Sequence, residues 1–271
     1  MKKMILTLIF ILTTSLNASA IVGSVSKVVG SVKVKNEGSF KKSKVKEKQK
    51  VREGDLITTS KKGRVVIKLV DGSDVVLDKS SSIHFSKNNS LEQKGGKIFY
   101  KISSRDAKNS LKIKTPFAII GIKGTTFTIN ADNDNASVAL KEGRIGVTSI
   151  EEEFALYRKE VLAKYNEYVT EQMKGFEKFK GVDKPEPEIT KEFDLEAGNV
   201  ISFSKNVVEE SAWDDKDDAE FDIYEKMLDS DFKESKDTED SEFGEFDSKL
   251  NSDEKANKKR AIDAMRKNMD F

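Results

Sequence analysis

The chain has 271 residues and is nearly neutral, with 48 Lys and Arg residues against 47 Asp and Glu residues. It contains one histidine and no cysteine, which excludes disulfides, thiolate metal sites and acylation of a cysteine. Because metal and acid–base sites draw heavily on His and Cys, we expect no cofactor, no metal site and no enzymatic activity. The one histidine, His84, alternates with Ile83 and Phe85 and is expected to face solvent on a strand.

Residues 1–20 have the pattern of a secretory signal peptide. Lys2 and Lys3 form a positively charged n-region, and residues 4–12 form an apolar h-region. Ala18-Ser19-Ala20 supplies the small residues that signal peptidase requires. We predict cleavage after Ala20 and therefore a periplasmic or secreted protein. No later stretch approaches the roughly 20 apolar residues of a transmembrane helix, so stable membrane insertion is not expected.

Residues 21–204 are predicted to form a mainly β domain, an antiparallel β-sandwich or roll. Short β-branched runs alternate with turn residues throughout this region. Residues 67–70 and 75–77 flank Asp71-Gly72, a dipeptide that favours a tight type I′ hairpin. Further strands are predicted at residues 97–102, 111–113, 118–122, 125–129, 137–140, 145–147 and 200–203.

Two later segments differ from the β pattern. Apolar residues from Phe154 to Phe179 recur at steps of mostly three and four residues, the spacing of one helix face. This predicts a long amphipathic helix inserted at about residues 150–187, before the last strand. Residues 205–271 carry 22 acidic against 12 basic residues and few β-branched ones, which indicates an acidic, partly helical or disordered tail.

Residues 115–129 resemble the hallmark of the FecR family, an apolar strand that leads into a Gly-Thr-x-Phe-x-apolar turn and strand. The motif residues here are Gly121, Gly124, Thr125 and Phe127. Residues 54–73, which end in Asp71, Gly72 and Ser73, are similar to an upstream passage of the family, and residues 140–147 and 195–198 to its closing strands. We interpret the motif as structural, because the glycines permit backbone geometry that a Cβ would forbid.

The resemblance implies a β module that binds other components of the cell envelope. Well-known members of the family are iron-signalling regulators with a cytoplasmic anti-sigma segment, one membrane span and a periplasmic FecR portion. The signal peptide predicted here replaces that segment and span. Direct contact with a sigma factor is therefore not expected.

The strongest electrostatic feature is a basic run at residues 41–52. Residues 21–149 as a whole carry 26 Lys and Arg against 12 Asp and Glu. Alternate spacing puts most of the run's charges on one face of an extended segment, although a solvated loop is an equally good interpretation. The candidate partner-binding residues are Lys42, Lys44, Lys46, Lys48, Lys50 and Arg52.

Two functions are compatible with these features. The first is a protein-binding or signalling platform in the envelope, whose partner is an envelope protein or an anionic envelope polymer. Export argues against nucleic acid as the partner. The alternative is a carbohydrate or cell-wall binder that uses the basic run together with Tyr157, Tyr165 and Tyr168, although tyrosines on one helical stripe more often pack in a core.

Overall fold

The computed structural model describes residues 19–103, 110–132, 136–173 and 185–229. The chain divides into two compact units, residues 1–225 and 226–271. Only residues 226–229 of the second unit are described, as the end of a helix. The predicted signal peptide, apart from Ser19 and Ala20, and the tail beyond Asp229 lie outside the described residues.

The described residues are mainly β, with twenty strands and two helices. The helices are α1 (Lys159–Met173) and α2 (Asp215–Leu228). The strands are β1 (Ile21–Val29), β2 (Val32–Lys35), β3 (Ser43–Lys44), β4 (Lys50–Arg52), β5 (Leu56–Thr59), β6 (Arg64–Leu69), β7 (Asp74–Leu77), β8 (Ser82–Ser86), β9 (Ser90–Gly95), β10 (Lys97–Lys101), β11 (Leu111–Lys114), β12 (Ala118–Ile122), β13 (Thr126–Asn130), β14 (Ala136–Glu142), β15 (Arg144–Ser149), β16 (Phe154–Tyr157), β17 (Glu188–Thr190), β18 (Glu192–Glu196), β19 (Asn199–Ser204) and β20 (Val207–Ala212).

These strands form two large sheets. The order in the first sheet, of eleven strands, is β17-β16-β20-β19-β14-β13-β10-β7-β6-β1-β4. The order in the second, of nine strands, is β18-β15-β12-β11-β9-β8-β5-β2-β3. The sheets are mixed and not wholly antiparallel as predicted, because β9 runs parallel to β11 and β16 parallel to β20. In both cases, the chain between the two parallel strands forms a strand of the other sheet before the second strand of the pair begins.

The inward side chains of both sheets belong to one hydrophobic cluster, as in a sandwich. Phe127 of the first sheet is fully buried, and its ring stacks on Tyr100 at a centroid distance of 5.0 Å. The Tyr100 hydroxyl donates to Gln93 Oε1 at 2.9 Å, and the Gln93 amide donates to the carbonyls of Gly96 and Ile129. This buried network is fully paired and joins β9 of one sheet to β10 and β13 of the other.

The predicted hairpin at Asp71-Gly72 is present, but its turn type differs. The turn joins β6 to β7, and Gly72 has a φ of 84°. Asp71 does not have the positive φ that a type I′ turn requires at both central residues. Instead, its carboxylate accepts hydrogen bonds from the backbone N–H and the hydroxyl of Ser73, a side-chain turn that aspartate forms readily.

The predicted start of the long helix is wrong. Residues 154–157 form β16, in which Phe154 and Leu156 are buried, and α1 begins only at Lys159. A strand of four residues with alternate burial also fits the apolar spacing of this segment, and parallel pairing with β20 decides in its favour. The end of the predicted helix, at residues 174–184, lies outside the described residues.

Ordered structure continues past the predicted last strand at residues 200–203. β20 pairs with β19 across six residue pairs, and α2 follows it. Phe221 and Tyr224 of α2 pack on Phe99, with ring centroids at 5.5 and 5.4 Å. Phe99 points away from the shared core, yet it is fully buried because α2 covers it.

Polar contacts hold α2 on the first sheet. Lys97 Nζ lies 2.8 Å from Glu220 Oε1, and Lys141 Nζ lies 3.1 Å from Glu225 Oε1. The Tyr224 hydroxyl donates to Asp78 Oδ2 at 3.0 Å. Burial, and then the Asp78 carboxylate, raise the pKa of the Tyr224 hydroxyl well above its ordinary value.

We expect Tyr224→Phe to cost about 0.5–1.5 kcal/mol near pH 8, through the lost hydrogen bond. Because the folded-state pKa of Tyr224 is raised, its contribution is complete below the unfolded-state pKa of about 10 and is lost as pH rises above that value. Urea unfolding of both proteins at about pH 8 and pH 11 tests this. The stability gap should shrink at the higher pH, and a constant gap would contradict it.

Among the described residues, no helix is long and apolar enough to cross a membrane.

Candidate functional site

Residues 43–52 run from the edge of one sheet to the edge of the other. β3 is the last strand of the nine-stranded sheet, and β4 is the last strand of the eleven-stranded sheet. Between them, Val45 N–H donates to the Val32 carbonyl of β2, and Lys48 N–H donates to the Val25 carbonyl of β1. The segment is therefore fixed to both sheets and closes one end of the core.

Side chains around Val45 and Val51 alternate between core and solvent, whereas residues 46–48 between them are all exposed. Val45 and Val51 are each 2% exposed and belong to the shared core. The basic side chains between and beside them are all exposed, as the period-two pattern predicts. They are Lys42, Lys44, Lys46, Lys48, Lys50 and Arg52. All six candidate partner-binding residues are therefore exposed to solvent.

Strand β2 adds two more cations that sequence reasoning missed. Lys33 and Lys35 are exposed and alternate with buried Val32 and Val34. Lys33 lies directly opposite Lys44 in the β2–β3 pair. Like charges directly opposite each other are destabilising. The alternation of residues 32–35 was visible in the sequence, but only the strand register brings Lys33 to Lys44.

We call Lys33, Lys35 and the six candidate residues the basic edge. Within the described part of the chain, the lysines of this set form no ion pair. Arg52 donates to the Ser19 carbonyl at 2.9 Å. The nearby Asp55 carboxylate is buried and accepts from Asn36 and from the Arg52 backbone.

An aromatic side chain stands beside these charges. Phe40, in the loop between β2 and β3, is 99% exposed. It directly precedes Lys41 and Lys42, which are also exposed. An exposed aromatic residue among cations is a feature of binding surfaces, where aromatic residues and charge act together.

The fold-motif residues lie elsewhere and have structural surroundings. Gly124 has a φ of 131°, which favours glycine, whereas Gly121 lies in β12 without a positive φ. Thr125 is buried, and its N–H donates to the Ile102 carbonyl. The predicted need for glycine is thus supported at position 124 and not at 121, where an added Cβ would meet nothing closer than 3.8 Å.

Other sequence candidates are not brought together into a site. His84 is partly exposed on β8, and its Nδ1 lies 3.1 Å from Ser86 Oγ and 3.6 Å from Glu92 Oε2. Tyr157 lies on β16, whereas Tyr165 and Tyr168 lie on α1, so the three do not share one helical stripe. In the described ranges, no group of three His, Cys, Asp or Glu residues is placed to hold a metal ion.

Residues 55–146 match the family model described as FecR protein. The chain contains a FecR domain. This domain extends from the start of β5 into β15 and includes the fold-motif residues from Asp71 to Phe127. The match is narrower than the sequence resemblance, whose segments extend from residue 54 to residue 198. All eight residues of the basic edge precede the FecR domain.

Several solved structures align with part of this chain. Two crystal structures of a "putative anti-sigma factor" from Parabacteroides distasonis align with TM-scores of 0.40 and 0.39, at 13% and 14% identity. Each alignment covers 59% of this chain and 60% of that protein. A cell surface anchoring domain aligns at 28% identity and a TM-score of 0.24, over 25% of this chain and 87% of that one. No curated protein matches the chain.

Proposed function

We propose that this chain is an exported, non-enzymatic platform of the cell envelope that binds an acidic protein or an anionic envelope polymer through the basic edge. The observation that carries this proposal is the opposition of Lys33 and Lys44 in an edge whose lysines form no ion pair with any described residue, Glu47 among them. An anionic partner would relieve this repulsion on binding. Signalling functions of FecR domains are compatible with such a binding role.

The segment that would bind the partner is attached to the core at several points. Val45 and Val51 anchor residues 43–52 in the core, and main-chain hydrogen bonds connect this segment to both sheets. A rigid surface loses little conformational entropy on association, which favours binding. The carbohydrate alternative gains no support, because its three tyrosines are divided between a strand and a helix.

We expect the triple variant Lys44→Glu, Lys46→Glu and Lys48→Glu to bind immobilised polyglutamate about tenfold more weakly than the unchanged protein at low salt. Each exposed ion pair contributes about 0.2–1 kcal/mol, and reversal also adds repulsion. Salt-gradient elution measures the change, with earlier elution expected for the variant.

The matched control is Lys112→Glu, Lys123→Glu and Lys205→Glu, which changes net charge equally at exposed positions outside the basic edge. It should elute close to the unchanged protein. An equal decrease in the eluting salt concentration for both triple variants would mean that net charge alone governs binding. The basic edge would then not be the binding site.

A further inference from the structure

At the end of the two sheets opposite the basic edge, a short segment again carries the last strand of each sheet. β17 is the last strand of the eleven-stranded sheet at that end, and β18 is the last strand of the nine-stranded sheet. A single residue, Lys191, joins them. Phe193 and Leu195 of β18 are buried in the shared core. A short segment thus closes the core at each end and carries one edge strand of each sheet.

The charge of this second end is opposite to that of the first. Five carboxylates are exposed along the β17–β18 segment, against one lysine, and we call these five residues the acidic edge. Its members are Glu186, Glu188, Glu192, Asp194 and Glu196. Arg158 lies 3.5 Å from Glu188, and Arg144 lies 2.7 Å from Glu196 and 3.9 Å from Asp194. These two arginines neutralise only part of the negative charge.

Each end also exposes one large apolar side chain. Ile189 of β17 is 61% exposed beside the acidic edge, and Phe40 is 99% exposed beside the basic edge. Edge strands present unpaired main-chain groups, and charged side chains usually prevent one edge from pairing with another. That protection requires charges of the same sign on the two edges that meet. Here the two ends of one molecule carry opposite signs.

We propose that the basic edge of one molecule binds the acidic edge of a second copy of this chain. The contact joins different surfaces, so a pair of molecules keeps one free basic edge, on one molecule, and one free acidic edge, on the other. Repetition of a head-to-tail contact that does not close gives an open chain of molecules. The inference uses the same basic edge as the proposed function and names a further partner for it.

Sedimentation velocity of the whole protein at rising concentration and low salt tests the inference. We expect species larger than a dimer that dissociate when salt is raised to about 1 M, where the Debye length falls to about 3 Å from about 10 Å at 0.1 M. A protein that stays monomeric at low salt, or that stops at a dimer, would overturn the head-to-tail contact.

Charge reversal separates this contact from other kinds of association. The basic-edge variant is Lys44→Glu, Lys46→Glu and Lys48→Glu, and the acidic-edge variant is Glu186→Lys, Glu192→Lys and Glu196→Lys. The acidic-edge variant alone has two positive ends and should be monomeric, whereas the basic-edge variant keeps only a small positive charge at its basic edge and should self-associate more weakly than the unchanged protein. An equimolar mixture should associate more strongly than either variant alone, because the unchanged basic edge of the acidic-edge variant then meets the unchanged acidic edge of the basic-edge variant. A mixture that remains monomeric would contradict the proposal.

The acidic-edge variant also separates this inference from the proposed function. It should lose self-association but keep its affinity for immobilised polyglutamate, since its basic edge is unchanged. If it self-associates like the unchanged protein, the head-to-tail contact is wrong while polyanion binding still stands. If the unchanged protein self-associates as expected but does not bind polyglutamate, the head-to-tail contact stands and the proposed function fails.

Discussion

Replacing Phe127 by alanine is expected to lower the free energy of unfolding by about 3–5 kcal/mol. Phe127 is fully buried between the sheets, and its ring stacks on Tyr100 at 5.0 Å. The substitution removes the apolar surface that the phenylalanine ring buries on folding. It also leaves a cavity next to the Tyr100–Gln93 hydrogen bond, and the surrounding strands can fill this cavity only in part. Urea unfolding followed by circular dichroism measures the loss as a lower midpoint.

Phe40→Ala is the matched control, because it makes the same chemical change at a side chain that is 99% exposed. Surface substitutions of this kind usually change stability by no more than about 0.5 kcal/mol. Similar midpoints for Phe127→Ala and Phe40→Ala would show that residue 127 does not lie in the core.

Replacing Gly124 by valine is expected to destabilise the protein by about 1–3 kcal/mol. The φ of Gly124 is 131°, a conformation that a β-branched residue adopts only with strain. The strain would act directly beside buried Thr125, whose main chain is hydrogen-bonded to Ile102. Thermal and urea unfolding should both show the loss, and the soluble yield should fall with it.

Gly121→Val provides the comparison, since both glycines belong to the same FecR motif. Gly121 is in β12 without a positive φ, and an added Cβ would be 3.8 Å from the Gly146 carbonyl, an ordinary contact. Valine suits a strand position, so a change of no more than about 0.5 kcal/mol is expected. A loss as large as that of Gly124→Val would mean that backbone conformation is not what requires glycine in this motif.

The segment around residues 154–168 shows where sequence reasoning failed. Apolar residues at steps of three and four predicted one helix, but Phe154–Tyr157 is a strand that pairs parallel with β20. Over four residues, the periods of a helix and a strand cannot be told apart. The partner strand, about fifty residues later in the chain, supplies hydrogen bonds that no local pattern reports.

Phe99 shows the same limit for side chains. Phe99 alternates in β10 with Ile98 and Tyr100, which face the shared core, and it points away from that core. It is nevertheless fully buried, because Phe221 and Tyr224 of α2 pack on it. These two residues had helical spacing in the sequence, but the surface that they cover is more than a hundred residues away.

The sequence by itself determined the features that depend on neighbouring residues. Alternation and turn chemistry predicted most strands of the FecR domain, the hairpin at Asp71-Gly72 and the exposure of the lysines at residues 42–50, because burial in a strand repeats every two residues. Only the tertiary structure decided that Lys33 faces Lys44 and that the basic and acidic edges end the same two sheets. The reason is that strand order and register are set by pairings between distant segments, whose closure depends on the whole core and not on any local pattern.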